Sequence, residues 1–255
     1  MPLKRNYHMH TELCGHATGS IYDNIMSAIK FGYEEIGFSE HAPLPLEAFN
    51  EVDMKRLYAY ENISLDDMKN KYIDEINKYK NLPIKIRIGL ETEYLPTYKS
   101  WYENLYRSVE YLILGVHFFE ADGLLIDTYD ASEMTDNNIL AYANTISNAL
   151  DTHMFKILAH PDLYLYSQDG FSETSKIAAD IIVDAAIRNN VILEINCNGK
   201  GKYPRRDFFE YIKNRNARFI IGVDSHAPER LSGGHIENAI KLASDLNLKL
   251  EEGVE

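Results

Sequence analysis

Hydrophobic residues along this chain form short runs with the length and composition of β-strands, separated by segments with helical spacing. The runs are rich in β-branched and aromatic residues, and none is long enough to cross a membrane. Polar residues and turn formers bound each run. Seven runs therefore predict strands, at 4–10, 34–40, 84–94, 111–117, 155–160, 191–198 and 218–226.

Between these runs, apolar residues recur at the three- to four-residue spacing of amphipathic helices. Ile21, Ile25 and Ile29 share one face of a helix that ends at Gly32, and Asp136 is a candidate N-cap of a later helix. The segment 42–83 is longer than a simple crossover, and we interpret it as a helix near 64–80 plus a substrate-side insertion. Besides this helix near 64–80, helices are predicted over 21–32, 134–150, 172–190, 206–216 and 235–247.

Strands that alternate with helices imply parallel strands joined by right-handed crossovers. Seven such units predict a closed or nearly closed α/β barrel, and 255 residues with 45% hydrophobic content suit one domain spanning 1–255. An open doubly wound sheet is the alternative. No G-x-G-x-x-G follows the first strand, so a dinucleotide-binding sheet would lack its fingerprint.

Every predicted strand carries a potential metal ligand at or near its end. The carboxyl ends of the strands of an α/β barrel build its active site, so seven strands would supply one face. Taken alone, each of these residues could also be a packing residue, a buried carboxylate paired with another charge, or simply the end of a strand. Their occurrence together on all seven strands favours a metal centre. In chain order these residues are His8, His10, Glu40, His41, Glu91, Glu93, His117, His160, Glu194, Asn196, Asp224 and His226.

The run Asp224, Ser225 and His226 imitates a nucleophilic triad. Side chains alternate along a strand, so residues 224 and 226 share a face while residue 225 points away. One strand therefore cannot assemble a serine nucleophile with its base and acid.

Charge and cysteine content narrow the class of protein. A net charge of −13 opposes binding to nucleic acid, and the one cationic cluster, at 200–206, has the size to bind a single phosphate. Two cysteines, Cys14 and Cys197, give no disulfide framework, and the absence of C-x-x-C argues against either as a metal ligand. No signal peptide is evident, so we expect a cytoplasmic protein that does not engage a membrane.

Seven motifs, in one order between residues 8 and 226, resemble the polymerase-and-histidinol-phosphatase (PHP) superfamily. They are H-M-H, C-G-H-A, F-S-E-H, G-L-E, G-V-H, A-H-P and V-D-S-H. Three longer stretches are similar to its histidinol-phosphate phosphatase branch, namely N-Y-H-M-H-T-E-L-C-G-H-A, E-E-I-G-F-S-E-H-A-P and E-I-N-C-N-G. The resemblance implies a distorted (β/α)7 barrel with its metal site at the C-terminal ends of the strands.

The resemblance also implies that nine residues hold three divalent ions. Imidazole and carboxylate ligands suit zinc, manganese or iron, because calcium and magnesium sites are richer in oxygen. The implied ligands are His8, His10, Glu91 and Asp224 for the first ion, Glu91, His117 and His160 for the second, and His16, His41 and His226 for the third.

Such a centre suits phosphate-ester hydrolysis. A metal pair bridged by Glu91 and bound by His117 would lower the pKa of a shared water toward ~7, and the resulting hydroxide would attack phosphorus. Asp224 would relay the released proton. These three residues are the expected catalytic set.

Substrate contacts follow less directly from the sequence. Lys202 and Arg205 are expected to close over the phosphate, with a solvated basic loop as the alternative. Glu40 is a candidate to recognise an amine or imidazole of the substrate.

The leading hypothesis is a phosphomonoesterase that converts L-histidinol phosphate to L-histidinol and phosphate in histidine biosynthesis. The first alternative is a PHP-type phosphoesterase or nuclease acting on another phosphate monoester or on nucleic acid ends, which the acidic charge disfavours. The second is a non-catalytic metal-binding protein, which would not need ligands on seven strands. The expected partner is therefore a small phosphate ester, with neither nucleic acid nor membrane.

Overall fold

A computed structural model describes residues 3–45, 64–199 and 201–254 of the chain. Nine strands occur among these residues: β1 (Arg5–Asn6), β2 (Glu35–His41), β3 (Lys85–Thr92), β4 (Tyr111–Leu114), β5 (Phe118–Ala121), β6 (Leu124–Asp127), β7 (Phe155–Leu158), β8 (Ile192–Asn196) and β9 (Phe219–Gly222). Seven of them form one parallel sheet in the order β1–β2–β3–β4–β7–β8–β9, and β5 pairs only with β6.

The two edges of the seven-stranded sheet meet. A parallel bridge joins Met9, after β1, to Ser225, after β9, and we call this contact the seam. The amide of His10 donates to the carbonyl of Ser225 over 2.8 Å, and the amide of Val223 donates to Oδ1 of Asn6 over 2.9 Å. The sheet is therefore a nearly closed barrel. The predicted seven-stranded barrel is confirmed over the open doubly wound alternative.

Most strands end earlier than their hydrophobic runs predict. β4 ends at Leu114, β7 at Leu158 and β9 at Gly222, so the candidate ligands that follow lie in loops just beyond the ladder. His160 and Asp224 have φ angles of +29° and +48°. An L-residue with positive φ cannot continue a strand, so these two residues turn the chain out of the sheet. Strain of this kind is concentrated at functional sites.

The antiparallel hairpin of β5 and β6 is an element that the strand pattern does not predict. Its two-residue turn consists of Asp122 (φ +52°) and Gly123 (φ +76°). Two consecutive positive φ angles are typical of the tight hairpin turn that Asp-Gly favours. The Asp-Gly dipeptide between two apolar runs is the feature of the sequence that indicates this hairpin.

The helices pack against the outside of the barrel. The helix Ile21–Phe31 begins at a capping box formed by Ser20 and Asp23, and it ends at Gly32 with a φ of +80°, as predicted. The predicted N-cap at Asp136 is wrong. The hydroxyl of Thr135 accepts a hydrogen bond from the amide of Asn138, so Thr135 caps the helix Asp136–Leu150.

The remaining helices follow the predicted rhythm, with one addition at residues 99–108. The predicted helix near 64–80 is present, and its middle part is π-helical; residues 46–63 of the predicted insertion lie outside the described residues. Among the described residues, no helix combines the length and hydropathy of a membrane span. The helices are Leu65–Asp67, Met68–Ile73 and Asp74–Asn77 in one continuous stretch, then Lys99–Ser108, Glu173–Arg188, Arg206–Ile212 and Gly234–Asp245.

The inward faces of the strands hold a second apolar cluster, separate from the main core that the helices bury. At its centre, the hydroxyl of Tyr111 donates to the carbonyls of Tyr7 and Phe38 over 2.7 and 2.9 Å. A Cβ at Gly37 or Gly89 would collide with the Tyr111 ring, so glycine makes room for it. We call this cluster the lower interior: Tyr7, Tyr111, Ile113, Ile157, Ala159, Ile192, Ile220 and Val254.

Candidate metal centre

The predicted ligands lie directly above the lower interior, on the same inward-facing positions. Side chains two residues apart share a face of a strand. On β3, Gly89 faces Tyr111 and is followed at this spacing by Glu91; on β8, Ile192 is followed by Glu194. A Cβ at Gly222 would collide with the Glu194 carboxylate, so a glycine on β9 leaves the space that the acid occupies.

The first group consists of His8, His10, Glu91 and Asp224, all of them buried. Nε2 of His8 lies 3.2 Å from Oε2 of Glu91 and 3.6 Å from Oδ1 of Asp224, and Nε2 of His10 lies 3.3 and 3.4 Å from the same oxygens. Both Nε2 atoms and Oδ1 nevertheless lack a hydrogen bond within the described part of the chain. Buried polar atoms that converge without bonding to one another fit a metal ion at their centre.

The second group consists of Glu91, His117 and His160, whose ligand atoms lie within 4.8 Å of one another. Oε1 of Glu91 lies 3.1 Å from Nε2 of His160 and 3.8 Å from Nε2 of His117. The other oxygen, Oε2, faces His8 and His10. The two oxygens of one carboxylate thus face two different imidazole pairs, which is the geometry of a bridging ligand.

The third group consists of His16, His41 and His226, also within 4.8 Å of one another. Nε2 of His226 lies 3.2 Å from Nε2 of His16. Burial and the nearby charge of His10 lower the pKa of all three rings, that of His226 to about 4. The imidazoles are therefore neutral near pH 7, which is the form that binds metal.

The two carboxylates of the first group are ionised. Burial alone would raise the pKa of Glu91 and Asp224, but the positive charge of His8 and the neighbouring histidines outweigh burial and hold both well below their usual range. Burial likewise lowers the pKa of His8, yet the surrounding carboxylates, Glu194 foremost, raise it well above its usual value. The centre thus favours a cation, and a metal ion would replace the histidine protons.

Three of the predicted ligand imidazoles are each held by a carboxylate on the ring nitrogen that faces away from the centre, and the carboxylates are buried or, for Glu93, partly buried. Such outer carboxylates fix the orientation and tautomer of a metal-ligating histidine and increase its basicity. The pairs are His8 Nδ1 with Glu194 Oε1 at 2.7 Å, His10 Nδ1 with Glu40 Oε1 at 3.3 Å, and His117 Nδ1 with Glu93 Oε1 at 2.7 Å.

The sequence makes Glu40 a candidate to recognise the substrate, but in the structure its contacts are with other residues of the chain. Its Oε2 accepts hydrogen bonds from the amide and the hydroxyl of Thr11 over 2.9 and 2.6 Å, and its Oε1 faces His10. The side chain is fully buried. These contacts indicate that Glu40 positions His10 and the loop that follows it.

Cys14 lies close to this centre without the properties of a ligand. Its Sγ is within 4.8 Å of ligand atoms of His10 and His226. The thiol donates to the carbonyl of Thr11, and burial raises its pKa to about 11, which favours the thiol over the thiolate that binds metal. Cys197 is also buried, and burial raises its pKa further.

A cavity of about 400 Å³ opens onto the three groups, a volume that suits a small molecule. Six of the nine predicted ligands line it. Its wall also includes four residues that are not among the predicted ligands or substrate contacts. They are Tyr129, Asn198, Tyr203 and Arg230.

The two predicted substrate contacts do not line this cavity. Nζ of Lys202 lies 5.7 Å from the ring centre of Tyr166. The guanidinium of Arg205 donates to the carbonyls of Leu165 and Gln168 and pairs with Asp207. A phosphate contact for Lys202 and Arg205 stays a prediction, and the bonds of Arg205 favour a role in holding its loop.

Comparison with known proteins places these features in a family. The PHP domain model matches residues 6–198. The chain is 29% identical over 256 residues to the histidinol-phosphatase of Bacillus subtilis, covering 88% of this chain and 93% of that protein. It is 25% identical over 254 residues to a protein of Deinococcus radiodurans named "Probable histidinol-phosphatase", covering 94% and 92%.

The fold is also shared with solved structures. The histidinol phosphate phosphatase of Lactococcus lactis, solved with zinc, L-histidinol and phosphate, superposes with a TM-score of 0.75 over the whole of both chains at 20% identity. At this level of identity the superposition establishes the barrel architecture.

Proposed function

The chain belongs to the PHP domain family, and on this premise we propose that it is a metal-dependent phosphomonoesterase that hydrolyses L-histidinol phosphate to L-histidinol and phosphate. The observation that carries the proposal is Glu91, whose two oxygens face two separate imidazole pairs at the floor of a cavity of small-molecule size. The name of the Bacillus relative and the ligands of the Lactococcus structure support the choice of substrate.

We assign the nine predicted ligands to three divalent ions of zinc, manganese or iron. When bound, such ions supply Lewis acidity, polarising phosphoryl oxygens and making water a competent nucleophile near neutral pH. The unbonded Nε2 atoms of His8 and His10 and Oδ1 of Asp224 support this assignment. Zinc in the Lactococcus structure supports zinc as one choice.

The side chains of the centre would then orient the reactants and move one proton. Glu91 fixes the spacing of the first two groups, and Glu93 keeps Nε2 of His117 directed toward Glu91. Oδ2 of Asp224 accepts a hydrogen bond from Asn196 over 3.1 Å, which leaves Oδ1 aimed into the centre. In our proposal, the Asp224 carboxylate accepts the proton of the attacking water.

The surroundings of the centre support a small substrate over nucleic acid. The cavity is partly enclosed by Tyr129 and Tyr203, and the net charge of −13 opposes a polyanion. Two buried free cysteines suit a reducing compartment, and we place the enzyme in the cytoplasm.

The decisive experiment measures phosphate release by the metal-loaded protein from L-histidinol phosphate, sugar phosphates and single-stranded DNA. We expect kcat/KM for histidinol phosphate to exceed the others by about 100-fold or more. Equal rates on all monoesters would contradict the substrate assignment, and no hydrolysis with any of the three metals would contradict the reaction class.

A matched variant controls for contaminating phosphatases. His117→Ala removes one imidazole of the second group, while His153→Ala removes an imidazole at the distant end of β7, where the chain enters the strand. Activity should be lost in the first variant and retained in the second.

A further inference from the structure

Arg230 is the one lysine or arginine side chain that lines the cavity above the candidate ligands, among the residues that the structure describes. It lies on the short helix Pro228–Leu231, four residues after His226. We propose that Arg230 binds the phosphate group of the substrate. This inference rests on the proposed function, since it requires that the cavity take a phosphate ester.

Among the described residues, the guanidinium of Arg230 has no hydrogen-bond or ion-pair partner. Its Nε is buried and makes no hydrogen bond within the described ranges, and the ion pairs recorded for those ranges do not include it. A guanidinium carries five donors, and a buried donor left without an acceptor costs free energy. An oxyanion in the cavity would satisfy these donors, and the planar fork of arginine matches two phosphate oxygens at once.

The turn that carries Arg230 is held in place by hydrogen bonds to its carbonyls. Ser27 Oγ donates to the carbonyl of Pro228 over 2.7 Å, and Tyr33 donates to that of Leu231 over 2.8 Å. Nε2 of His235 contacts the carbonyl of Arg230 itself at 2.9 Å. A backbone fixed on both sides of one side chain is the support that a precise binding group requires.

This turn also packs closely against the first helix. Gly19 has a φ of +86°, and a Cβ there would collide with the ring of Pro228. The close approach brings the turn beside the loop that carries His16. Arg230 is thereby held at the wall of the cavity next to the third ligand group.

The other cations considered for phosphate binding are engaged elsewhere. The guanidinium of Arg205 is bonded to two carbonyls and Asp207, and Lys202 lies over the ring of Tyr166. Among the described residues, Arg230 therefore combines cavity exposure with unsatisfied donors, and the other two do not.

The test compares Arg230→Gln and Arg230→Lys with the parent protein, all loaded with the same metal. The primary readout is the affinity for inorganic phosphate, measured by titration calorimetry, with metal content measured in parallel. We expect phosphate affinity to fall about 10- to 100-fold in Arg230→Gln, the loss expected for one charge-assisted pair. Arg230→Lys should recover part of it, because it keeps the charge and loses the fork.

Arg206→Gln is the matched control, since it removes one positive charge from an exposed arginine that pairs with Asp245 outside the cavity. Its phosphate affinity should equal that of the parent. Lys202→Gln tests the rival cation directly. The proposal is overturned if Arg230→Gln binds phosphate like the parent, if Lys202→Gln shows the loss instead, or if Arg230→Gln loses its metals together with phosphate.

These outcomes are separable from failure of the proposed function. Phosphate binding that depends on Arg230, in a protein that does not hydrolyse histidinol phosphate, would support the phosphate site and contradict the substrate. Hydrolysis of histidinol phosphate with unchanged KM and phosphate affinity in Arg230→Gln would support the substrate and overturn the role of Arg230. Absence of phosphate binding in the parent protein would overturn the inference outright.

Discussion

The barrel interior has two halves built from the same inward-facing strand positions, and they differ completely in chemistry. In the lower interior, Tyr111 donates to two carbonyls and packs among Tyr7 and aliphatic side chains. In the metal centre above it, Nε2 of His8 and His10 is buried without a hydrogen bond. Along a single strand, the inward-facing side chains change from apolar to charged within two residues, as from Ile192 to Glu194 on β8.

The difference teaches how one fold separates stability from function. Apolar side chains and a satisfied tyrosine stabilise the lower half without any ligand. The upper half concentrates buried charges whose desolvation destabilises the fold until a cation is bound. Substitutions in the two halves should therefore have separable effects.

The largest expected effect comes from Glu91→Gln in the upper half. It removes the negative charge that both imidazole pairs face, so we expect bound metal to decrease and kcat/KM to fall about 1,000-fold or more, or roughly 4 kcal/mol. Metal analysis and phosphatase assays check this. Glu103→Gln, on the exposed side of the helix Lys99–Ser108, is the control. A Glu91→Gln protein with normal metal content and turnover would rule out the bridging role.

Glu93→Gln should have a smaller effect, because it leaves every proposed ligand in place. It weakens the hydrogen bond that orients the His117 ring, together with the bonds that Glu93 accepts from the amides of His117 and Phe118, and loss of such a partner reduces metal affinity or activity by about 10- to 100-fold. Competition with a chelator measures the affinity. Glu120→Gln, exposed on β5, should behave like the parent. A metal affinity of Glu93→Gln equal to that of Glu120→Gln would show that Glu93 does not support the centre.

Tyr111→Phe should affect the lower half alone. Two buried carbonyls lose their donor while the ring still fills the space beside Gly37 and Gly89, so we expect the free energy of unfolding to fall by about 1–2 kcal/mol. Denaturant titration measures this loss. Turnover per folded molecule should not change, and reduced turnover would show that the halves are coupled. Tyr106→Phe, on an exposed tyrosine, is the control.

The smallest expected effect is local and lies at the seam. The proposed ligands His8 and Asp224 lie on opposite sides of it, so a bound metal would hold its two edges together. Removing metal should speed hydrogen exchange at the amide of His10, which donates to Ser225, by a few-fold, with little change at the amides of the β2–β3 ladder. Identical exchange with and without metal would mean that the sheet alone maintains closure.

Much of this arrangement follows from local sequence pattern. Short apolar runs and helical spacing identify the seven strands of the sheet and most helices, because the strands are buried on both faces and the helices on one. Eight of the nine proposed ligands are recognisable because they lie at or just after the end of a hydrophobic run; His16 lies in a loop farther on and is indicated only by the family resemblance. Local sequence does not indicate which of these ligands lie together, since this depends on how the sheet curls and on turns such as those at His160 and Asp224.

Other features escape the strand-end pattern for definite reasons. The pairing of Glu93 with His117 and of Glu194 with His8 joins residues that are 24 and 186 positions apart in the chain, which no local spacing encodes. Arg230 lies on a short turn without periodicity, and only the cavity shows its significance. The hairpin at Asp122 and Gly123 had a local signal in its Asp-Gly turn.

The seam also bears on how the protein is made. Synthesis proceeds from the N-terminus, so His8 and His10 leave the ribosome long before Asp224 and His226 exist. A nascent chain that lacks β9 has an incomplete first group and an incomplete third group, and its first strand has no partner on one edge. We therefore expect metal loading of these two groups to follow translation of the last strand, and a truncated chain that ends before Asp224 to be inactive.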